Sequence, residues 1–248
     1  MTRGSILAIV LVAPLALAGC ESTQTRSARL RAAASHRAPE RKLQIARTNP
    51  DVRIAAATLV NDARAGRSAA VVELHNTSRR TLAALPLLFT VTGAGGKKLF
   101  SNDLPGASPD LTTVPSLAAG DTLTWVNDAI VGVRGGSAVD ARVGEPAKPV
   151  AAAATSPPRL RVSGVRLERD PIDGITAVGR VVNASSIAQE RLVIFATARR
   201  GARIVAAGRA VVPVLRPGAK GARFTLFFVG DPTGAKLRLQ APAVSLGR

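Results

Sequence analysis

The sequence predicts an all-β protein, with two tandem β-sandwich domains carried behind an apolar leader and a polar tether. Three observations predict it. From Asp51 onward, short aliphatic and β-branched runs recur about every ten residues between Gly, Asn, Asp and Pro, the pattern of short antiparallel strands. The strand and turn signals of residues 51–144 recur in the same order in residues 159–248. Between them, residues 145–158 hold four prolines and a four-alanine run, which is linker composition.

The leader is residues 1–19. One basic residue, Arg3, precedes an uncharged run from Ile6 to Leu17 that only Pro14 interrupts. That run is roughly a dozen residues, against the roughly 20 a helix needs to cross a bilayer, so it reads as an export signal. It ends in Leu17-Ala18-Gly19-Cys20, where Cys20 is the only cysteine of the chain. Ala18 and Gly19 are small enough to let a peptidase reach the bond between Gly19 and Cys20. The ionised thiol of Cys20 is nucleophilic enough to form a thioether. A soluble-export signal with a chance cysteine and an uncleaved anchor are the plainer readings of the same residues.

The stretch resembles the lipobox of bacterial lipoproteins. The resemblance implies a diacylglyceryl group on Cys20, with palmitate-type acyl chains, and residence at a membrane of the cell envelope. Two chains, at about 0.8 kcal/mol per CH₂, anchor stably where one is marginal. In cells with two membranes, Asp after the cysteine tends to retain lipoproteins at the inner one. Glu21 stands there in this chain, which leaves the outer membrane open. A lipidated Cys20 leaves no thiol for a disulfide, and a chain of this length can bury a core without one.

Residues 20–50 read as a basic, disordered tether. Glu21 to Arg31 is nearly devoid of large apolar residues. Ala32–Ala34 and Lys42–Ala46 are expected to form at most a helical turn, because Pro39 and Pro50 interrupt anything longer. In the first sandwich (51–144), strands are expected around Val52–Leu59, Ala69–Glu73, Leu85–Val91, Leu123–Trp125 and Val139–Val143. In the second (159–248) they are expected at Leu160–Leu167, Ile175–Val182, Leu192–Ala198, Ile204–Val212, Phe224–Val229 and Lys236–Leu239.

The two stretches align on their turns. Asn76-Thr77-Ser78 faces Asn183-Ala184-Ser185, Leu87-Leu88-Phe89 faces Val193-Ile194-Phe195, and Leu117-Ala118-Ala119-Gly120 faces Leu215-Arg216-Pro217-Gly218. Asn and Gly suit turns that need side-chain bonding or left-handed backbone. Phe89, Trp125, Phe195 and Phe224 are expected to fill a core between the two sheets of their own domain. The plan resembles the FxLyD-type immunoglobulin-like domain, carried in the second repeat by Asn183, Ser185, Phe195, Gly201, Pro217, Gly218 and Phe224. The first repeat departs from it, with Ala119-Gly120 in place of Pro-Gly and an insertion from Ser101 to Pro115. The resemblance implies tandem immunoglobulin-like sandwiches and brings no catalytic residue.

Net charge is +18 and is unevenly placed. Residues 51–144 hold nine basic and eight acidic residues, whereas 159–248 hold sixteen and five. Such a field attracts polyanions, and Arg199, Arg200 and Arg203 beside the Gly201 turn are the candidate polyanion-binding residues. Arg outnumbers Lys 28 to 6, which also fits a plain compositional bias. Nucleic acid is not an expected partner: there is no Tyr and no basic-aromatic pattern for stacking bases.

No catalytic constellation stands out. His36 and His75 are isolated, and no Cys or acidic cluster joins them to make a metal site. Glu168, Asp170 and Asp173 read as turn carboxylates, and Gly93–Lys98 as a hairpin turn rather than a phosphate loop. The sequons at Asn76 and Asn183 are explained by the turn itself. The expectation is a non-enzymatic envelope lipoprotein with no cofactor and no metal, its partner an envelope protein or anionic polymer. An accessory or solute-binding part of an envelope transport system is the alternative.

Overall fold

The computed structural model describes residues 42–146, 157–170 and 174–247. Among them there is no α-helix, and every strand pairing is antiparallel. The first half contains β1 (Val52–Asp62), β2 (Arg67–Asn76), β3 (Leu82–Gly93), β4 (Lys98–Ser101), β5 (Thr113–Leu117), β6 (Thr122–Val131) and β7 (Gly136–Val143). The second contains β8 (Leu160–Asp170), β9 (Gly174–Asn183), β10 (Gln189–Arg200), β11 (Arg203–Leu215), β12 (Gly218–Phe227), β13 (Val229–Gly230) and β14 (Lys236–Gln240). Each expected strand is present. The protein is an all-β sandwich fold.

The chain joins the sheet earlier than its composition suggests. Lys42–Ala46 forms no helical turn. Thr48 bridges Gly144, and the Asn49 amide donates to the Val143 carbonyl at 2.9 Å. Ile45 lies against Gly144, where a Cβ would come within 3.2 Å of it. These apolar and backbone contacts hold the residues just before Pro50.

In the first half, β1-β2-β6 form one sheet, and β3 pairs with β4, β5 and β7 in the other. The second half repeats the plan with β8-β9-β12 and β13-β11-β10-β14. One difference matters. The single strand β11 runs along all of β10, whereas β5 covers Leu82–Pro86 of β3 and β4 covers Thr90–Thr92, with the insertion between them. Asn102 fills the gap in the ladder: its Oδ1 accepts from the Phe89 amide at 2.8 Å and its Nδ2 donates to the Leu87 carbonyl at 2.8 Å. A buried backbone group left without a partner would cost about 1–3 kcal/mol, which explains a polar side chain only 2% exposed there.

Two details carry the repeat into three dimensions. Asn76 and Asn183 are fully buried, and each donates its amide to carbonyls across the turn: Arg80 at 2.7 Å and Leu117 at 3.0 Å, Ile187 at 2.7 Å and Leu215 at 3.3 Å. Each Oδ1 accepts from the amide of the serine two residues on, at 2.9 and 3.0 Å. Strands β3 and β10 then take positive φ at Ala84 and Arg191, the only non-glycine residues to do so among those described (52° and 50°). Each is skipped in the pairing with the next strand.

These matching positions correct one expectation. Laid on each other, they bring Leu88, not Phe89, onto Phe195. Shifting a strand by one residue moves its side chains to the other face. Phe89, with Leu85, Leu87 and Val91, points into the first sandwich; Leu192, Ile194, Ala196 and Ala198 do so in the second, with Phe224 and Leu226 opposite. Phe195 and Val193 instead join the core of the first half, together with Ile204, Ala207 and Val229, and the Phe195 ring lies 6.4 Å from that of Trp125.

The sheets therefore stack in four layers, the β1-β2-β6 sheet of the first half against the β10-β11 sheet of the second. Strands β2 and β6 are buried on both faces for this reason. Gly208 shows how close the second sandwich packs: a Cβ there would collide with the Phe227 carbonyl oxygen. Gln240 ties the halves by accepting from the Thr124 amide at 2.8 Å and donating to the Thr122 carbonyl at 2.9 Å. The C-terminal stretch is held by Gln189, which accepts from the amides of Val244 and Ser245 at 2.8 and 3.0 Å. Ala243 and Leu246 there bury against Ala83 of the first half.

Candidate functional site

Cys20 and Gly19 lie outside the described residues, as do His36, Asp173 and residues 147–156 of the expected linker. The remaining candidates are placed as follows. Arg199, Arg200 and Arg203 do not form one free cluster. Arg199 pairs with Glu73 of the first half and donates to the Ala202 carbonyl at 2.9 Å. Arg200 donates to the Thr233 carbonyl at 2.8 Å and lies 3.8 Å from Asp231. Arg203 is exposed in the same hairpin.

Gly93–Lys98 turns between β3 and β4 through a short 3₁₀ segment, with Gly95 and Gly96 at positive φ. At both sequons the amide nitrogen that a glycan would occupy is spent on buried carbonyls. Glu168 pairs with Arg166 at 2.7 Å. His75 has a buried Nδ1 without a hydrogen-bond partner. No three His, Cys, Asp or Glu side chains gather as a metal site among the described residues.

The most built polar cluster lies between the halves and joins residues far apart in sequence. Arg209 of β11 donates through Nε to Asp128 Oδ1 at 2.9 Å and through its backbone amide to Oδ2 at 3.0 Å. Its Nη1 pairs with Asp110, which the insertion supplies from a 3₁₀ turn at Pro109–Leu111. Arg191, at the positive-φ position of β10, donates to Asp110 Oδ1 at 2.7 Å and to Ser108 Oγ at 2.9 Å. Arg209, Asp110 and Asp128 are 14%, 7% and 12% exposed.

The two carboxyls titrate oppositely. Burial pushes Asp110 up, but the Ser108 hydroxyl and the guanidiniums of Arg191 and Arg209 overcome it and hold it at about 2. Asp128 is desolvated more heavily and has Arg209 alone as its cation, so burial wins and its pKa is raised. The cluster holds carboxylates against arginines, with the Ser108 hydroxyl donating to Asp110. Its chemistry is that of a strut. With Glu73–Arg199, it joins carboxylates of the nearly neutral first half to arginines of the basic second half.

A second feature is a basic sheet face. Directly opposed residues of antiparallel strands share a face, and Arg180 of β9 lies opposite Arg223 of β12 on one side and Ser163 of β8 on the other. Arg161 and Arg166 of β8 oppose Val182 and Val178 on the same face. All four arginines are exposed, because Ala177, Val181, Phe224 and Leu226 occupy the inner face. Sequence reading overlooked this grouping. Its signal was the two-residue alternation of Arg161-Ser163 and Arg166-Glu168, shifted by the bulge after Ser163.

No protein-family model matches the chain, and no curated protein is detectably similar to it.

Proposed function

We propose that this is a non-enzymatic, lipid-anchored protein of the bacterial cell envelope that presents immunoglobulin-like sandwiches to an envelope protein or polymer. The observation that carries the reading is Leu17-Ala18-Gly19-Cys20 at the end of a short apolar run, with no other cysteine in the chain. The stacked sandwich supports it: carboxylate–arginine struts lock the two halves to each other and leave sheet faces, edges and loops as the surfaces on offer. The transport-accessory alternative, with a solute between the halves, is served less well. Gln240, on the crevice between them, spends its amide on Thr122 and Thr124.

The test is Cys20→Ala in a bacterial host, read by palmitate labelling and membrane fractionation. The wild-type chain should label and sediment with membranes. The variant should lose the label and either accumulate unprocessed or leave the membrane. A correctly processed variant that still sediments with membranes would show that the lipid is not the anchor.

A further inference from the structure

We propose that the outer face of the β8-β9-β12 sheet is a docking surface for a linear phosphate-bearing polymer, an inference that rests on the envelope-polymer branch of the function above. Two observations carry it. The first is local. Arg180 and Arg223 face each other directly across two strands, an arrangement that like charges disfavour. Arg161 and Arg166 extend the row, and the one acidic side chain recorded against these four among the described residues is Glu168, on Arg166. Arg180 itself donates to the Lys220 carbonyl, a neutral group, and no acidic side chain pairs with it among the described residues.

The second observation comes from the repeat. The matching face of the first half holds Ala69, Val71, Glu73, Thr124 and Val126, and there it is a docking face already, covered by β10 and β11. At the position of Arg180 the first half has Glu73, and at that of Arg223 it has Thr124. Glu73 takes Arg199 from the sheet that covers it. The second half thus exposes the same face with its charge reversed. A third sandwich built like the second would bring another arginine against Arg180, so continued stacking is opposed. An anionic occupant is what the face fits.

The shape and the donor geometry narrow that occupant. A hollow of about 480 Å³ on this face is lined by Ser163, Arg166, Glu168, Arg180, Arg223 and Thr225, Glu168 being the residue that pairs with Arg166. A single chain can enter such a hollow, whereas a planar bilayer meets only its rims. A carboxylate can bridge two guanidiniums, as Asp110 does between Arg191 and Arg209, but its acceptors lie in one plane. The tetrahedral oxygens of a phosphate accept from guanidiniums set in different planes.

The experiment uses the full chain, with long-chain polyphosphate as the probe. Poly-glutamate and phosphatidylglycerol vesicles are the comparison arms. Polyphosphate should bind and weaken steeply as salt rises, because exposed charges are screened over about 8 Å at 0.15 M. Arg180→Glu should cut affinity by about ten-fold or more, the effect of losing one phosphate contact and adding repulsion. It should also leave the melting temperature unchanged or higher, since it turns a like-charged pair into an ion pair with Arg223. Arg200→Glu/Arg203→Glu should change affinity by less than about two-fold. Equal losses from both variants would reduce the effect to general basicity and overturn the proposal. So would equal affinity for poly-glutamate, or binding to vesicles without binding to polyphosphate. Membrane release by Cys20→Ala is a separate readout, so failure here leaves the anchoring proposal standing.

Discussion

Replacing Arg209 with Met keeps the apolar stem of the side chain and removes the one cation shared by Asp110 and Asp128. Two charge-assisted bonds are lost, Nε to Asp128 and Nη1 to Asp110. At about 1.5–3 kcal/mol each, and on the scale of breaking a buried pair, the loss should be about 3–5 kcal/mol near neutral pH. Asp110 keeps the Ser108 hydroxyl and Arg191 as partners, so the loss falls mainly on Asp128. The assay is urea unfolding of the full chain near neutral pH and at about pH 4. With Arg209 present, the Asp110 carboxyl sits at about 2, below its ordinary 3.8. Its stabilisation is complete above 3.8 and is lost as pH falls through about 2. Asp128, raised by burial, behaves oppositely: its charged form costs stability, and acidification relieves that cost. Without Arg209 the buried Asp128 carboxylate has no cation left, so its charged form costs more and the loss relative to wild type should shrink on going from neutral pH to pH 4. A loss under about 1 kcal/mol near neutral pH, or an equal loss at both pH values, would refute the strut.

Two further predictions use the same unfolding assay. Phe195→Ala should cost about 3–5 kcal/mol, because the ring is 2% exposed and packs into the core of the other half; a cost below about 1 kcal/mol would return the ring to a peripheral position. Asn183→Ala should cost about 2–4 kcal/mol by removing its bonds to the Leu215 and Ile187 carbonyls and stranding the Ser185 amide. Asn183→Asp should be worse still near neutral pH, since it aims a charge at those carbonyls, and part of that excess should be regained in acid.

Strand positions were legible because each run of Val, Ile and Leu ends in residues whose backbone preferences stop a strand. The turn asparagines were legible for a similar local reason: Asn76 and Asn183 precede a serine at the same spacing, and the bonds they make lie mostly within the turn. The facing of β10 was not legible. Aligning Phe89 with Phe195 looks natural by side-chain type, but the matching positive-φ residues Ala84 and Arg191 align the two strands one residue away. Nothing in the residue types there announces a left-handed backbone, since neither position holds glycine. The Arg209 cluster was invisible for a different reason. Its partners lie 81 and 99 residues away in sequence, and Asp110 sits in an insertion that by composition reads as loop.

The charge imbalance between the halves, which looks like composition when counted, separates by position. Arg191, Arg199 and Arg209 of the second half meet Asp110, Glu73 and Asp128 of the first, so part of the excess is the complement of the surface it covers. Such pairs fix orientation more than they add stability, because desolvation offsets much of their attraction. Apolar contacts among Val71, Val126, Val193 and Phe195 supply the adhesion. Head-to-tail stacking of like sandwiches has an inherent hazard, since each added copy presents the same face again. Arg180 and Arg223 stand on the face where the next copy would seat. Like charge there opposes the seating of another copy of the same kind, and among the described residues only Glu168, on Arg166, offsets the row of arginines.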